Sequence, residues 1–308
     1  MILALAGGVG GAKLADGLAR ILPPDALAIA VNTGDDSEHF GLLVSPDVDT
    51  VMYTLAGIAN PVTAWGLADE SWEFMAAVER LGGPDWFRLG DRDLATKAER
   101  TRRLHAGDTL TAITRDLAHA LGVRHALFPM TDDPVRTVLE TDEGTLAFHD
   151  YFVRRRCAPR VRGLSYAGVE QATPSPALSR ALASPALEAI ILCPSNPYLS
   201  IAPILALPGV RAAMKRRGVP IVAVSPIVAG AAIKGPLARM MADFDISVSP
   251  RGIAALYDGL IDGIVIDRLD ADRNVPDVEV HATNIVMADA VAREQVAREV
   301  VDFARRLL

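Results

Sequence analysis

The chain has 308 residues, half of them hydrophobic, a mildly positive mean hydropathy and a net charge of −7. That length supports one large α/β domain or two closely joined ones, and the acidic balance argues against a nucleic-acid surface. No run reaches the roughly 18 apolar residues of a membrane span. Two distant cysteines, Cys157 and Cys193, in no C-x-x-C pattern, exclude a disulfide framework and a cysteine zinc site and suit a reducing, cytoplasmic setting.

The chain opens "MILALAGGVGGAKLADGL". Ile2–Ala6 is a short apolar run without a basic lead, which reads as a buried strand and not as a signal peptide. Four of the next five positions, Gly7 to Gly11, are glycine, and a helix is expected from about Ala12 to Ile21, before Pro23 and Pro24. Neither G-x-x-x-x-G-K-[ST] nor G-x-G-x-x-G fits, since Lys13 stands where a third glycine belongs. Glycines let the backbone approach an anion, and the helix start adds a positive dipole end. A lysine in that first turn opposes the dipole unless an anion is bound. Gly8, Gly10, Gly11 and Lys13 are therefore candidate phosphate contacts. The alternative is a tight turn with an exposed lysine.

A second buried strand, Leu27–Val31, runs into "NTGDD", and a helix is expected over Asp47–Ala56 behind Pro46. Asp35, Asp36, Asp47 and Asp49 thus collect near one strand end. Magnesium takes one or two carboxylates and completes its shell with water and substrate phosphate, so this group suits metal or hydroxyl binding. Against that, Asp47 can simply cap its helix, and Asp35 occupies the place where a dinucleotide fold holds the ribose.

Residues from about 61 to 166 change character. Two amphipathic helices are expected, "DLATKAERTRRLHAG" behind Asp91 or Asp93 and "TLTAITRDLAHALG" behind Asp108 or Thr109. "TLAFHDYFVRR" has strand character, and the region reads as an inserted mixed α+β subdomain. "FRLGDRDLAT" sets Arg88 beside a helix start. After residue 187 the runs "LEAIILC" and "VPIVAV" resume the buried-strand pattern. Each is followed by a polar loop, "PSNP" with Ser195 and Asn196, and "SPIVAGAAIKGP" with Lys234. "GIVID" and "VEVHAT" complete the strands, and an amphipathic helix spans about Asp289 to Leu308. The whole predicts one domain, a Rossmann-like, open, mostly parallel sheet with helices on both faces and ligands beyond the carboxyl ends of its strands. No H-x-x-x-H and no G-x-S-x-G occurs, which speaks against a zinc site and a serine hydrolase.

Seven blocks, "GGVGGAKLADGL", "VNTGDD", "SPDVDTVMYTLAG", "LGDRDLATKAERTRRLHAG", "PMTDDPVRT", "PSNPYLSIAPIL" and "VSPIVAGAAIKGP", stand in an order that resembles the CofD/FbiA family, the 2-phospho-L-lactate transferases of coenzyme F-420 biosynthesis. The resemblance covers residues 1 to about 236. It implies magnesium-dependent transfer of a phospho-acid unit (2-phospho-L-lactate, phosphoenolpyruvate or phosphoglycerate) from a guanosine diphosphate-linked donor to the deazaflavin Fo, with release of GMP. It further implies Asp49 and Arg88 as Fo contacts, Asp35 and Asp49 as catalytic metal-holding residues, and a homodimer. Two other classes stay open on the residues alone: a nicotinamide-dependent oxidoreductase with Asp35 on the ribose, and a non-catalytic nucleotide-binding regulator.

Overall fold

A computed structural model describes every residue except 64, 234, 258 and 272–274. Lys234 lies outside the described residues. Seven strands form the main sheet: β1 (Ile2–Ala6), β2 (Leu27–Val31), β3 (Ala126–Pro129), β4 (Ala189–Leu192), β5 (Ile221–Val224), β6 (Gly263–Asp267) and β7 (Glu279–Thr283). All neighbours pair in parallel, in the spatial order 7-6-5-4-1-2-3. The five inner strands are short and wholly buried, as continuous apolar runs covered on both faces should be, while the edge strands β3 and β7 are partly exposed. Alternation along β1 divides the core. Ile2, Ala4 and Ala6 belong to one apolar layer, and Leu3 and Leu5 to the other.

Helix α1 (Gly8–Ile21) begins four residues before its expected start at Ala12, so the glycine segment is the helix's own first turn and not a free loop. Gly17 lets α1 lie close to the C-terminal helix Ala290–Arg306, since a Cβ there would overlap the Arg293 carbonyl. Asp16 ties the same pair through Arg293 at 2.9 Å and also accepts from Arg20 one turn along α1 at 2.9 Å. Helix α2 (Pro46–Leu55) carries proline in its first turn, where no intrahelical N–H is needed.

The middle third is not the contiguous insert expected. β3 falls inside it as the edge strand of the main sheet, paired with β2. Helices α3 (Glu73–Arg80), α4 (Asp91–His105) and α5 (Leu110–Ala120) precede it. After it comes a separate antiparallel sheet of Arg136–Thr141, Gly144–Ala147 and Val161–Ala167. The strand expected through Arg155 ends at Ala147 and gives way to a π-helical turn, Asp150–Arg154. Nor does Asp91 cap α4. It accepts the Glu73 and Phe74 amides at the start of α3, while Glu70 accepts the Arg92 and Asp93 amides at the start of α4. Thr109 caps α5 as expected.

Candidate active site

Strand order reverses between β1 and β4, and such a reversal opens a crevice at the strands' carboxyl ends. The α1 start, "PSNP" and "NTGDD" all meet there. The Gly7 amide donates to Ser195 Oγ at 3.1 Å, and the Gly8 amide to Asp47 Oδ1 at 2.7 Å. Gly8 has φ +60°, a left-handed conformation that glycine adopts without strain. A Cβ at Gly10 would overlap the Pro194 carbonyl, and one at Gly11 the Ser195 hydroxyl. Their immediate structural reason is thus the close approach of the chain to itself. Lys13 is half-buried in the same turn.

Asn32 joins three segments. Its Nδ2 donates to Asp47 Oδ2 (2.9 Å) and to the Leu199 carbonyl (3.1 Å), and its Oδ1 accepts the Gly34 amide (2.7 Å). Asp47 therefore serves the crevice and does not cap α2. Asn196 caps the π-helical turn Pro197–Ile201 through the Tyr198 and Leu199 amides.

The acidic loop is buried, with Asp35 and Asp36 each 4% exposed. Buried oxygens without a hydrogen-bond partner concentrate here: Thr33 Oγ1, Asp35 Oδ1, Asp36 Oδ1 and, across the loop, Thr137 Oγ1. Burial, then the charge of Asp47, holds the Asp35 carboxyl well above the usual carboxylate range. Burial likewise pushes Asp36 up to about 7, against the opposing charge of Arg136 and the hydrogen bond from Ser45 Oγ (2.8 Å). Buried polar groups are ordinarily satisfied, so a cluster of orphaned acceptors suits a cation or a hydroxyl-rich ligand. Among the described residues no group of three or more His, Cys, Asp or Glu side chains is arranged to hold a metal. Two carboxylates with substrate and water oxygens fit magnesium and not zinc.

Asp49 lies in a different environment from Asp35. Arg100 donates to both its oxygens, through NH1 to Oδ2 at 3.1 Å and through NH2 to Oδ1, and Lys97 Nζ stands 2.9 Å from Oδ2. Lys97 also pairs with Asp93, which accepts from Tyr53 Oη at 2.7 Å. Burial would raise the Asp49 carboxyl, but Arg100 and Lys97 hold it below its usual value. With both oxygens engaged by cations, Asp49 differs from Asp35 and Asp36, each of which keeps one buried oxygen without a hydrogen-bond partner. Asp49 instead lines a narrow recess with Tyr53, Lys97 and Trp65. Arg88 is exposed, its guanidinium 4.8 Å above the Trp72 ring, while Phe87 and Leu89 beside it bury against Val44 just before α2.

Sequence reasoning missed a ring cluster beside this recess. His39, from the hairpin Ser37–His39/Leu42–Val44, stacks on Phe87 at 3.6 Å between centroids. Its Nε2 shares a hydrogen bond with His149 Nδ1 at 2.8 Å, and Ser37 Oγ approaches the same nitrogen at 2.5 Å. Burial lowers His39 to about 4 and His149 to about 3. Both are neutral at pH 7. No spacing could reveal the pair, because 110 residues separate them and only the tertiary fold sets them ring to ring.

A neutral buried histidine destabilises the fold in acid. The unfolded chain takes up a proton near pH 6.5, the folded one only near 3, so the stability His149 permits is lost as pH falls between those values. Asp35 and Asp36, with raised values, act in the opposite sense over part of that range. The difference between wild type and His149→Gln isolates the histidine. The variant's melting temperature should improve relative to wild type on going from pH 7 to pH 4. Parallel melts with the same difference at every pH would remove the buried-neutral assignment.

A glycine-built helix start beside buried carboxylates, at the strand-order reversal of a doubly wound sheet, is the crevice of an α/β enzyme. The family model of the 2-phospho-L-lactate transferase CofD matches residues 2–304, and the chain belongs to that family. It is a phosphotransferase, and the nicotinamide oxidoreductase and non-catalytic alternatives fall away. A phosphoenolpyruvate transferase of Streptomyces coelicolor is 39% identical over 316 residues, covering 99% of this chain and 98% of that protein. A 2-phospho-L-lactate transferase of Methanopyrus kandleri is 38% identical, covering 99% and 97%. One from Methanosarcina mazei is 38% identical over 269 residues, covering 87% and 88%. In fold alone the chain is similar to a solved UPF0052 family protein of Bacillus halodurans, with TM-score 0.61 at 13% identity over 97% of this chain and 98% of that one. No single helix among the described residues is long and apolar enough to cross a membrane.

Proposed function

We propose that this enzyme transfers the phospho-acid unit of a guanosine diphosphate-linked donor to the ribityl hydroxyl of Fo, releasing GMP, as a step of coenzyme F-420 formation. The observation that carries the reading is the knot of orphaned buried oxygens on Thr33, Asp35, Asp36 and Thr137 at the strand-order reversal, next to the glycine-built start of α1. The relatives' names support a phospho-acid as the transferred group, since they include both phosphoenolpyruvate and 2-phospho-L-lactate transferases.

In this reading the α1 start and Lys13 hold the donor diphosphate, and the acceptor enters the recess by Asp49 and Arg88. The acceptor oxygen bonds to the phosphorus that bears the acid, and the bond from that phosphorus to the GMP oxygen breaks. An unpartnered carboxylate oxygen of the acidic loop takes the hydroxyl proton. Asp35 and Asp36 would hold magnesium, which when bound neutralises the diphosphate oxygens. Charge neutralisation and alignment are the main demands of such a transfer.

Mass spectrometry of the product from Fo and each guanylated donor tests the reaction. Two variants test the site. Lys13→Ala should weaken GDP binding about 10- to 150-fold, the value of one charge-assisted contact, and leave Fo binding nearly intact. Arg88→Ala should do the reverse. Absence of Fo binding in the presence of GDP and magnesium would remove Fo as the acceptor.

A further inference from the structure

We infer that Arg136 forms the subsite for the carboxylate of the transferred phospho-acid, which makes it a specificity-determining residue. The inference rests on the transferase reading above and goes beyond it to the part of the donor that distinguishes an acid from a plain phosphate ester.

The backbone fixes where Arg136 lies. The next residue, Thr137, donates its amide to the Gly34 carbonyl at 2.7 Å, which staples the start of strand Arg136–Thr141 to the acidic loop. The charge of Arg136 acts on both Asp36 and His149, in keeping with a strand that starts against the acidic loop. In the transferase reading, the acid attached to the transferred phosphorus lies between the acidic loop and the aromatic recess, within reach of this strand.

Its bonding state sets it apart from its neighbours. Lys97 and Arg100 are ion-paired to Asp49 and Asp93. Half-buried Arg136 makes no ion pair among the described residues, and the one side-chain hydrogen bond it makes among them runs from Nη1 to the carbonyl of Val135 at 2.8 Å. A guanidinium has five N–H donors in a planar fork that matches a carboxylate. A substrate carboxylate brought beside buried Asp35, Asp36 and Asp47 enters an acidic surround that already resists further negative charge. A partly desolvated cation held there without an ion pair offsets that resistance and accepts the carboxylate in bidentate fashion.

Calorimetry on wild type, Arg136→Gln and Arg136→Lys tests this with three ligands: GDP, the GDP ester of lactate, and the GDP ester of isopropanol, which has a methyl in place of the carboxylate. Wild type should bind the lactate ester about 10-fold or more tighter than the isopropyl ester. Arg136→Gln should abolish that preference while changing affinity for GDP and the isopropyl ester by less than about 2-fold, and Arg136→Lys should restore it in part. A glutamine variant that loses affinity equally for all three ligands, or for none, overturns the proposal. Product formation with Fo is read separately. Discrimination between the esters without transfer to Fo would sink the acceptor assignment and leave the subsite standing. Equal binding and equal transfer of both esters by wild type would sink the subsite and leave the transferase standing.

Discussion

Asp35→Asn is expected to stop turnover and yet make the magnesium-free protein more stable. Asp35 is fully buried, its Oδ1 has no partner, and its neighbours Asp47 and Asp36 are also acidic. Folding at pH 7 must therefore either bury a charge against two carboxylates or take up a proton to avoid doing so. Removing that charge relieves the folded state, by at least about 1 kcal/mol or on the order of 2 °C in melting temperature. The sign has a pH signature. A raised carboxyl destabilises the fold only where the unfolded chain is ionised, so the gain should vanish as pH falls below the usual value of 3.8. Turnover should fall at least about 100-fold, because neutralising a reacting diphosphate supplies several kcal/mol and about 1.4 kcal/mol is a factor of ten. Thermal melts in chelator beside steady-state rates in magnesium check both halves. A variant that is both less stable and fully active would show Asp35 to be an ordinary structural residue.

Arg100→Met is expected to produce the largest loss of stability. Arg100 is 0% exposed and grips both oxygens of Asp49, linking α4 to α2. Truncation leaves Asp49 buried with Lys97 alone, and Lys97 is shared with Asp93. Removing one partner of a buried pair costs about 3–5 kcal/mol, mostly the penalty of the stranded charge. A fall in melting temperature on the order of 10 °C follows. The double variant Arg100→Met/Asp49→Asn should recover much of it, since deleting both charges together strands neither. If the double variant is as unstable as the single, the cost lies in packing volume and not in charge. A loss below about 1 kcal/mol for the single variant would mean that the pair is solvated in solution.

The contrast between Asp35 and Asp49 shows where sequence reasoning stops. Four aspartates within "NTGDD" and "SPDVDT" look alike in composition, and the resemblance alone favoured Asp35 with Asp49. The cations that separate them, Lys97 and Arg100, arrive from a helix about fifty residues further on. Their spacing suggests one face of an amphipathic helix and nothing about an acid on α2. The glycine segment teaches the same lesson. Its composition marks a close approach, but the groups approached, Pro194, Ser195 and Asp47, come from two remote parts of the chain.

Six of the seven sheet strands, the helix periods between them and the polar loops that follow them were readable from the chain itself. Buried parallel strands are continuous runs, and helices carry their own period. Those local rules were enough for all but one strand of the sheet and, through the ordered blocks, for the family. Only the tertiary structure decided that β3 leaves the supposed insert to join the main sheet and that His39 lies against His149. It also left Arg136 without an ion pair among the described residues while Arg100 was committed to Asp49. Each of these turns on which distant side chain fills the space beside a buried charge. That is set by packing between elements, and local pattern carries no record of it.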